Sequence, residues 1–512
     1  MQRRDFIKLG TLAGATGFGF RQHLEGQSED TRLNLLFIQT DQQRSDTLGS
    51  YGNARIQTPH LDSLAERSFR FESCYVTQPL CSPARGSILT GLYPHSHGTW
   101  ANNIPLSSEC PILPEMIRDP DYIAGHIGKW HLGDEVFRQR GFKFFESTES
   151  DYYRWYGADR NPTELCGYSR FLIEQGIPPD TRYGHSRDLA NHLPVELSKP
   201  AYIAKTAIEF LEDHCSRPFV LYLSFLDPHN FADHPTGPPF RNHNDHLYPP
   251  AEMEIPSTFY EPMDPTVSYL KRAARVAIAR GELPVGYPRT EEELKQAKAR
   301  YWGLVTLVDT MVGRVLQRLR ELQLENRTII VFTSDHGEMM GDHRLLSKAS
   351  TYEEAVKVPL LMSIPGLSDR PITISKPVSH IDLVPTLLEL LHQPRPASLQ
   401  GTSWVASLRQ GTVPDRDVFF ENASQDWLFS SHTCRERCIV TSDGWKMSIS
   451  DLGDGELYDL KRDPRERKNL YFDSAHRHVV SELRARIKRW QAETNDRVTI
   501  DLDQKWPEIR GG

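Results

Sequence analysis

Nowhere in the 512 residues does an apolar run approach the ~20 positions needed to span a bilayer, so no stable transmembrane helix is expected. Excess positive charge is missing too. The 60 Lys and Arg stand against 68 Asp and Glu, a formal charge of -8, which argues against nucleic acid as a partner. No internal repeat and no low-complexity tract interrupts the chain, which sets aside repeat arrays and long disordered linkers. Cysteine is sparse, at seven, and an odd count leaves at least one thiol outside any disulfide in an oxidising compartment. What remains is an ordinary globular composition, 38% hydrophobic and 25% charged, with length enough for two domains.

The N-terminus departs from that composition. Arg3-Arg4 precedes a weakly apolar, glycine-rich run from Leu9 to Phe20, a pattern that looks like a bacterial twin-arginine (Tat) export signal. Residues 1–30 are therefore set apart as an export segment, and a periplasmic location is expected. No small-x-small cleavage site follows, so cleavage and retention as an anchor both stay open.

Beyond it, strand and helix signals alternate, which predicts an α/β fold: a mixed, largely parallel sheet flanked by helices on both faces. Buried strands are expected over 33–40, 218–225, 328–333 and 358–364. Thr58 reads as the N-cap and Pro59 as the first turn of a helix running to about Phe69. Tyr301, Leu304, Val305, Val308, Val312, Val315 and Leu316 fall at helical spacing within 291–322. Long connections between 134 and 290, rich in aromatics, Pro, His and Asn, suit a substrate cleft. There Tyr152-Tyr153-Arg154-Trp155-Tyr156 either stacks on a sugar or packs a loop. The core pattern ends near Pro394-Arg395-Pro396. A catalytic domain over 31–412 and a smaller α+β subdomain over 413–512 are expected, the latter with a turn at 450–455 and a helix from about 475 to 494. Cys434 and Cys438 either bridge a loop there or stay reduced.

Three polar motifs stand out. Asp41-Gln42 follows the first strand and Asp335-His336-Gly337 follows the strand over 328–333. Ligands in open α/β sheets sit at the carboxyl ends of strands, so the two pairs can converge on one cation. Asp carboxylates and a Gln carbonyl suit Ca²⁺ or Mg²⁺, and a His nitrogen widens the choice to Mn²⁺. Either pair alone reads as a turn after a strand. Gly128-Lys129-Trp130-His131 places a Lys and a His two apart, and on an extended strand end both point to one side. Cys81-Ser82-Pro83-Ala84-Arg85, continuing to Leu89-Thr90-Gly91, would by itself be a small buried cysteine opening a helix. Taken singly, His229 and Lys348 are incidental, and for His95 and His97 the structural reading has the edge.

In this combination and order, the motifs resemble those of the type I, formylglycine-dependent sulfatases of the alkaline phosphatase-like superfamily, over roughly residues 32–472. Cys-x-Pro-x-Arg is complete, while Ala84 stands where Ser is usual and Ile88 where Leu is usual. Glu456-Leu457-Tyr458-Asp459 through Asp463-Pro464 resembles the family's C-terminal subdomain. The resemblance implies that a formylglycine-generating or sulfatase-maturating enzyme converts Cys81 to 3-oxoalanine (formylglycine). It implies Asp41, Gln42, Asp335 and His336 as ligands of Ca²⁺, with Mg²⁺ or Mn²⁺ as alternatives. Arg85 and Lys129 would then hold the aldehyde hydrate, and His131 would take a proton. His229 and Lys348 would contact the sulfate and the leaving oxygen. Many family members have Asp and Asn where this chain has Gln42 and His336. The Gln and His versions occur among sugar sulfatases, choline sulfatase and phosphonate monoester hydrolases. The expected activity is hydrolysis of a sulfate ester on a small molecule or glycan. A phosphonate monoester or phosphodiester hydrolase is the alternative, and a non-catalytic glycan-binding protein with an unmodified Cys81 is a third reading.

Overall fold

The computed structural model describes residues 32–149, 160–161, 163–229, 244–262, 264–282, 287–423 and 434–500. The twin-arginine segment and the aromatic run 152–156 lie outside the described residues.

Eight successive buried residues, Asn34–Asp41, form strand β1, and their side chains alternate between two cores. Leu35 and Phe37 enter one core with Val220, Tyr222, Ile329 and Val331. Leu36 and Ile38 enter the other with Leu221, Leu223, Ile330 and Phe332. Near-continuous hydrophobic runs of this kind belong to parallel strands covered on both faces. Each such side chain withdrawn from water contributes roughly 1.5–3 kcal/mol, an upper figure before chain entropy is counted.

The remaining strands of the large sheet are β2 (Phe69–Tyr75), β3 (Ile123–Gly128), β4 (Phe144–Glu146), β5 (Phe219–Pro228), β6 (Thr328–Ser334), β7 (Lys357–Ser363), β8 (Ile372–Ile374) and β9 (Val378–Ser379). Their order is β4-β3-β5-β1-β6-β7-β2-β8, with β9 beside β2. Pairing is parallel except where β7 meets β6 and β2. Helices Lys199–His214 and Glu291–Glu321 cover one face, and Cys81–Thr90 and Leu383–Leu390 pack on the other. The long helix starts where the sequence says it should. Thr290 Oγ1 accepts from Glu293 N at 3.2 Å, and Glu293 Oε2 accepts from Thr290 N at 3.3 Å.

Helix Pro59–Ala65 departs from the expectation at both ends. Thr58 does not cap it through its side chain. The buried carboxylate of Asp309 does so from the long helix, accepting from His60 N at 3.3 Å and Leu61 N at 2.7 Å. The helix stops at Ala65 because Phe69 and Phe71 are buried as part of a strand, β2, instead of a further helical turn.

After residue 412 the chain forms a second sheet, β10 (Val418–Ala423), β11 (Arg435–Val440), β12 (Trp445–Ser450) and β13 (Gly455–Asp459), antiparallel in sequence order. Helix Arg477–Thr494 packs on it through Val480, Leu483 and Ile487 against Ile439, Met447, Ile449 and Leu457. Both sheets belong to one compact unit, Leu33–Gly512. Cys434 and Cys438 are joined by no disulfide, nor is any other pair of the seven cysteines. Among the described residues no helix is long and apolar enough to cross a membrane.

Candidate active site

Four neighbouring parallel strands end at one edge of the sheet, where β3 pairs Gly128 with Ser224, β1 pairs Asp41 with Pro228, and Thr40 meets Ser334. Asp41, Lys129, His229 and Asp335 are therefore delivered to a single crevice at the carboxyl ends of β1, β3, β5 and β6. Helix Cys81–Thr90 points its N-terminus there, with Cys81 as its first residue and no side-chain cap. The partial positive charge of a helix start favours an anion at this point.

Around Cys81 Sγ the groups close in. Lys348 Nζ lies 3.0 Å away, His336 Nε2 3.2 Å and Asp41 Oδ1 3.8 Å. Atoms of Asp41, Cys81, Asp335 and His336 all fall within 4.8 Å of one another, with every residue buried. Arg85 donates from Nε to Asp335 Oδ2 at 2.8 Å and from Nη2 to Asp41 Oδ2 at 2.9 Å. Lys129 Nζ donates to Asp41 Oδ2 at 2.7 Å. Lys348 Nζ also donates to Gln42 Oε1 at 2.9 Å. The other oxygens, Asp41 Oδ1 and Asp335 Oδ1, lie 3.7 and 3.5 Å from His336 Nε2.

This donor set fits a divalent cation. His336 Nδ1 sits 2.9 Å from Gly337 O, and a carbonyl only accepts, so Nδ1 carries a proton and Nε2 is the nitrogen turned towards the two carboxylates. Burial pushes the His336 imidazole down, yet Asp335, with help from Cys81, outweighs it and holds the group above its usual value. The spot between these oxygens calls for positive charge.

The titrating groups divide accordingly. Burial and Asp41 push the Cys81 thiol up, but Lys129, Lys348 and His336 bring it down to about 7. Burial would raise the Asp41 carboxyl, but Lys129, His229, Arg85 and Lys348 hold it well below the carboxylate range. Burial lowers Lys348, while Cys81 and Asp41 more than compensate and leave it above its usual value. Burial, reinforced by neighbouring Lys side chains, keeps His131 and His229 well below theirs, so both are neutral imidazoles.

One expectation about geometry fails. His131 is not on an extended strand end but in a left-handed conformation, φ 58°. Glu135, buried, holds it by accepting from Trp130 N at 3.1 Å and His131 N at 2.7 Å. Gln42, Ser347 and Ala349 also have φ of 60–67°, so four non-glycine residues around the crevice carry backbone strain that the fold must hold. Gly128 is needed for a different reason: its φ is 113° and a Cβ there would meet Ser224 O at 2.0 Å.

His95 and His97 play structural parts. His95 Nδ1 is 2.5 Å from Glu421 Oε1, and His97 Nε2 lies 3.2 Å from Ser87 Oγ. Sequence reasoning missed Glu135, Ser224, which accepts from Arg85 Nη1 at 2.7 Å, and Glu338, whose Oε2 accepts from Gln42 Nε2. Glu338 alone left a trace, one residue past Asp335-His336-Gly337.

Comparison with known proteins agrees with this architecture. The sulfatase family model matches residues 33–393, and the model of the N-sulphoglucosamine sulphohydrolase C-terminal region matches 341–493. An uncharacterized sulfatase, YidJ, of Escherichia coli K12 is 30% identical, over 88% of this chain and 86% of its own. An ulvan-active sulfatase of Formosa agariphila is 27% identical, over 92% and 84%. Among solved structures, a phosphonate monoester hydrolase of Agrobacterium radiobacter superposes with a TM-score of 0.73, at 24% identity, over 90% of this chain and 96% of that one, a likeness of fold. The chain belongs to the sulfatase family of the alkaline phosphatase-like superfamily, and with it to the sulfuric ester hydrolases.

Proposed function

We propose that this protein hydrolyses a sulfate ester of a carbohydrate, using Cys81 converted to formylglycine and a divalent cation held by Asp41, Gln42, Asp335 and His336. Ca²⁺ is the first choice for these ligands, with Mg²⁺ or Mn²⁺ as alternatives. The observation that carries the reading is the position of Cys81: first residue of a helix, with Sγ 3.0 Å from Lys348 Nζ and 3.2 Å from His336 Nε2. The relative named for activity on ulvan supports a carbohydrate substrate.

A cation held by Asp41, Gln42, Asp335 and His336 would supply polarisation of the sulfate oxygens, and a formylglycine hydrate at position 81 would supply a nucleophilic hydroxyl and a second hydroxyl to expel sulfate. The chain does the rest. Arg85 and Lys129 fix Asp41 and Asp335 through their Oδ2 atoms, leaving both Oδ1 atoms directed at the crevice. Lys129 and Lys348 bring positive charge to the non-bridging oxygens, the electrostatic contribution that usually dominates such reactions. His131, neutral, accepts the proton of the second hydroxyl. His229 and Lys348 contact the sulfate, and one of the two protonates the leaving oxygen.

A second reading, a phosphonate monoester or phosphodiester hydrolase, is equally compatible with the pair Gln42 and His336, which phosphonate hydrolases share with sugar sulfatases. Residues 1–30 are proposed as the Tat-like export segment to the periplasm, 31–412 as the catalytic domain and 413–512 as the C-terminal subdomain. The proposed partners are a sulfated small molecule or glycan and the formylglycine-generating enzyme.

The test is peptide mass spectrometry of the Cys81 fragment from protein co-expressed with a formylglycine-generating enzyme. Conversion lowers the mass by about 18 Da, as CH₂SH becomes CHO at the nucleophile. Finding it, together with turnover of sulfated sugars above phosphodiesters, is the expected result. Unmodified cysteine in active protein sinks the mechanism, and preference for phosphodiesters selects the second reading.

A further inference from the structure

Glu338 is fully buried and takes no part in the chemistry above. Its three hydrogen-bond partners are all donors. Oε1 accepts from Met340 N at 3.1 Å and from Ser347 N at 2.6 Å, and Oε2 accepts from Gln42 Nε2. Across the same amide, Lys348 Nζ donates to Gln42 Oε1 at 2.9 Å. An ammonium offers no acceptor and an ionised carboxylate offers no donor. Only one of the two amide orientations satisfies both neighbours. The rest of Gln42 is fixed as well: its N donates to Asp335 Oδ1 at 3.0 Å, its carbonyl accepts from Tyr301 Oη at 2.6 Å, and its φ is 67°. What remains free in Gln42 is the end-for-end choice of the amide, and Glu338 makes it.

We infer that Glu338 is a positioning residue that sets the Gln42 amide so that Oε1, not Nε2, faces the cation site and Lys348. This rests on the cation reading given above. Because Ser347 precedes Lys348 and is itself left-handed at φ 67°, the same carboxylate also fixes the approach to Lys348. A family member with a carboxylate in place of Gln42 has two equivalent oxygens and needs no such device. A glutamine there does.

The substitution Glu338→Gln keeps the shape but leaves one oxygen for two acceptor positions. If that oxygen serves Met340 N and Ser347 N, the new amide NH₂ faces Gln42, which must turn Oε1 towards it and Nε2 towards the cation site. Exchanging the pair, Gln42→Glu with Glu338→Gln, restores a complementary arrangement, because a carboxylate at 42 accepts from the amide at 338 and still presents an oxygen inward.

The experiment is calorimetric titration of Ca²⁺ alone into chelator-stripped full-length protein, with thermal unfolding run beside it. Glu338→Gln is expected to raise the Ca²⁺ Kd about 10–100-fold, the range for groups that orient metal ligands, and the exchanged pair to recover most of that loss. An unchanged Kd in Glu338→Gln, with Ca²⁺ binding intact in the wild type, overturns the inference and leaves the cation reading standing. A loss that the exchange does not rescue also overturns it, and reduces Glu338 to loop support through Met340 N and Ser347 N. If the single variant does not fold, the exchanged pair decides alone: Ca²⁺ binding supports the inference, and no binding, folded or not, overturns it. A wild type that binds no Ca²⁺ overturns the cation reading and the inference together.

Discussion

Two of the buried charge clusters among the described residues are built to opposite rules. Beneath the C-terminal sheet, Lys446 Nζ sits 2.8 Å from Glu353 Oε1 and 2.9 Å from Glu466 Oε1. Glu353 Oε2 accepts from Tyr75 Oη at 3.0 Å, and Glu466 Oε2 from Glu353 N at 2.7 Å. Nearby, Lys271 Nζ lies 2.5 Å from Glu456 Oε2 and 3.4 Å from the centre of the Tyr352 ring. Each carboxylate named here has a cation within 3 Å, and the cluster ties β12 to the helix before β7. Around Cys81 the oxygens are divided instead. Asp41 and Asp335 use Oδ2 on Arg85 and Lys129, and their Oδ1 atoms converge near His336 Nε2, that of Asp335 also accepting from Gln42 N at 3.0 Å. The cluster that holds the fold spends its carboxylates on lysines and hydroxyls of its own neighbourhood. A cluster that performs chemistry keeps donor atoms over for something that arrives later.

The largest test of that contrast is Cys81→Ala. Losing the proposed nucleophile should lower kcat/KM for a sulfate ester by at least ~10⁴-fold while leaving the unfolding midpoint nearly unchanged, as read by steady-state kinetics beside thermal unfolding. Activity within tenfold of wild type would show that the Cys81 cluster is as structural as the other.

Lys446→Met is the mirror experiment. It takes the lysine from buried Glu466 and leaves Glu353 only Lys357, 3.3 Å away, and breaking a buried pair by removing one partner costs about 3–5 kcal/mol. Denaturant unfolding should register that loss, while kcat of the folded fraction stays within a few-fold. A fall in kcat without a fall in stability would erase the distinction between the clusters.

A third test uses acid. Burial holds the His97 imidazole down at about 4 and those of His126 and His380 at about 3. All lie below the unfolded value near 6.5, so the stability they contribute is complete above that pH and is lost as pH falls through it. His97→Gln should therefore flatten the stability profile, recovering on the order of 2–3 kcal/mol of the loss between pH 7 and 4.5. Urea midpoints at the two pH values check this, and equal slopes in variant and wild type would mean that His97 is charged in the native state.

The smallest effect is expected at Asp309, outside both clusters. Asp309→Ala removes the cap on helix Pro59–Ala65 and should cost about 1–2 kcal/mol with no change in KM. A larger cost would show that this helix start, not the charge clusters, limits stability.

Much of the frame was legible in the chain. Strands β1, β5, β6 and β7 announced themselves as continuous apolar runs, since burial on both faces removes any polar alternation. Helix Glu291–Glu321 showed its spacing, while its capping box at Thr290 and Glu293 emerged only in the structure. Strand β2 was hidden behind a helical start, because seven residues of mixed polarity carry too little period to outweigh it. The cap on helix Pro59–Ala65 was invisible for a different reason: Asp309 is about 250 positions away, and local signals do not report such a partner.

The site divides in the same way. From the sequence came the residue types and their order: Asp41-Gln42, Cys81 to Arg85, Lys129 and His131, and Asp335-His336 in short motifs, with His229 and Lys348 singled out only by the family resemblance. Chemistry of that kind is written locally, because a motif must sit at a strand end or a helix start to work. Only the tertiary structure decided which oxygen of each carboxylate faces the crevice, that His131 is held left-handed by Glu135, and that Glu338 orients Gln42. Those choices depend on hydrogen bonds between segments as much as about 300 residues apart, and a donor's direction in space is a property of the folded packing that no stretch of sequence contains.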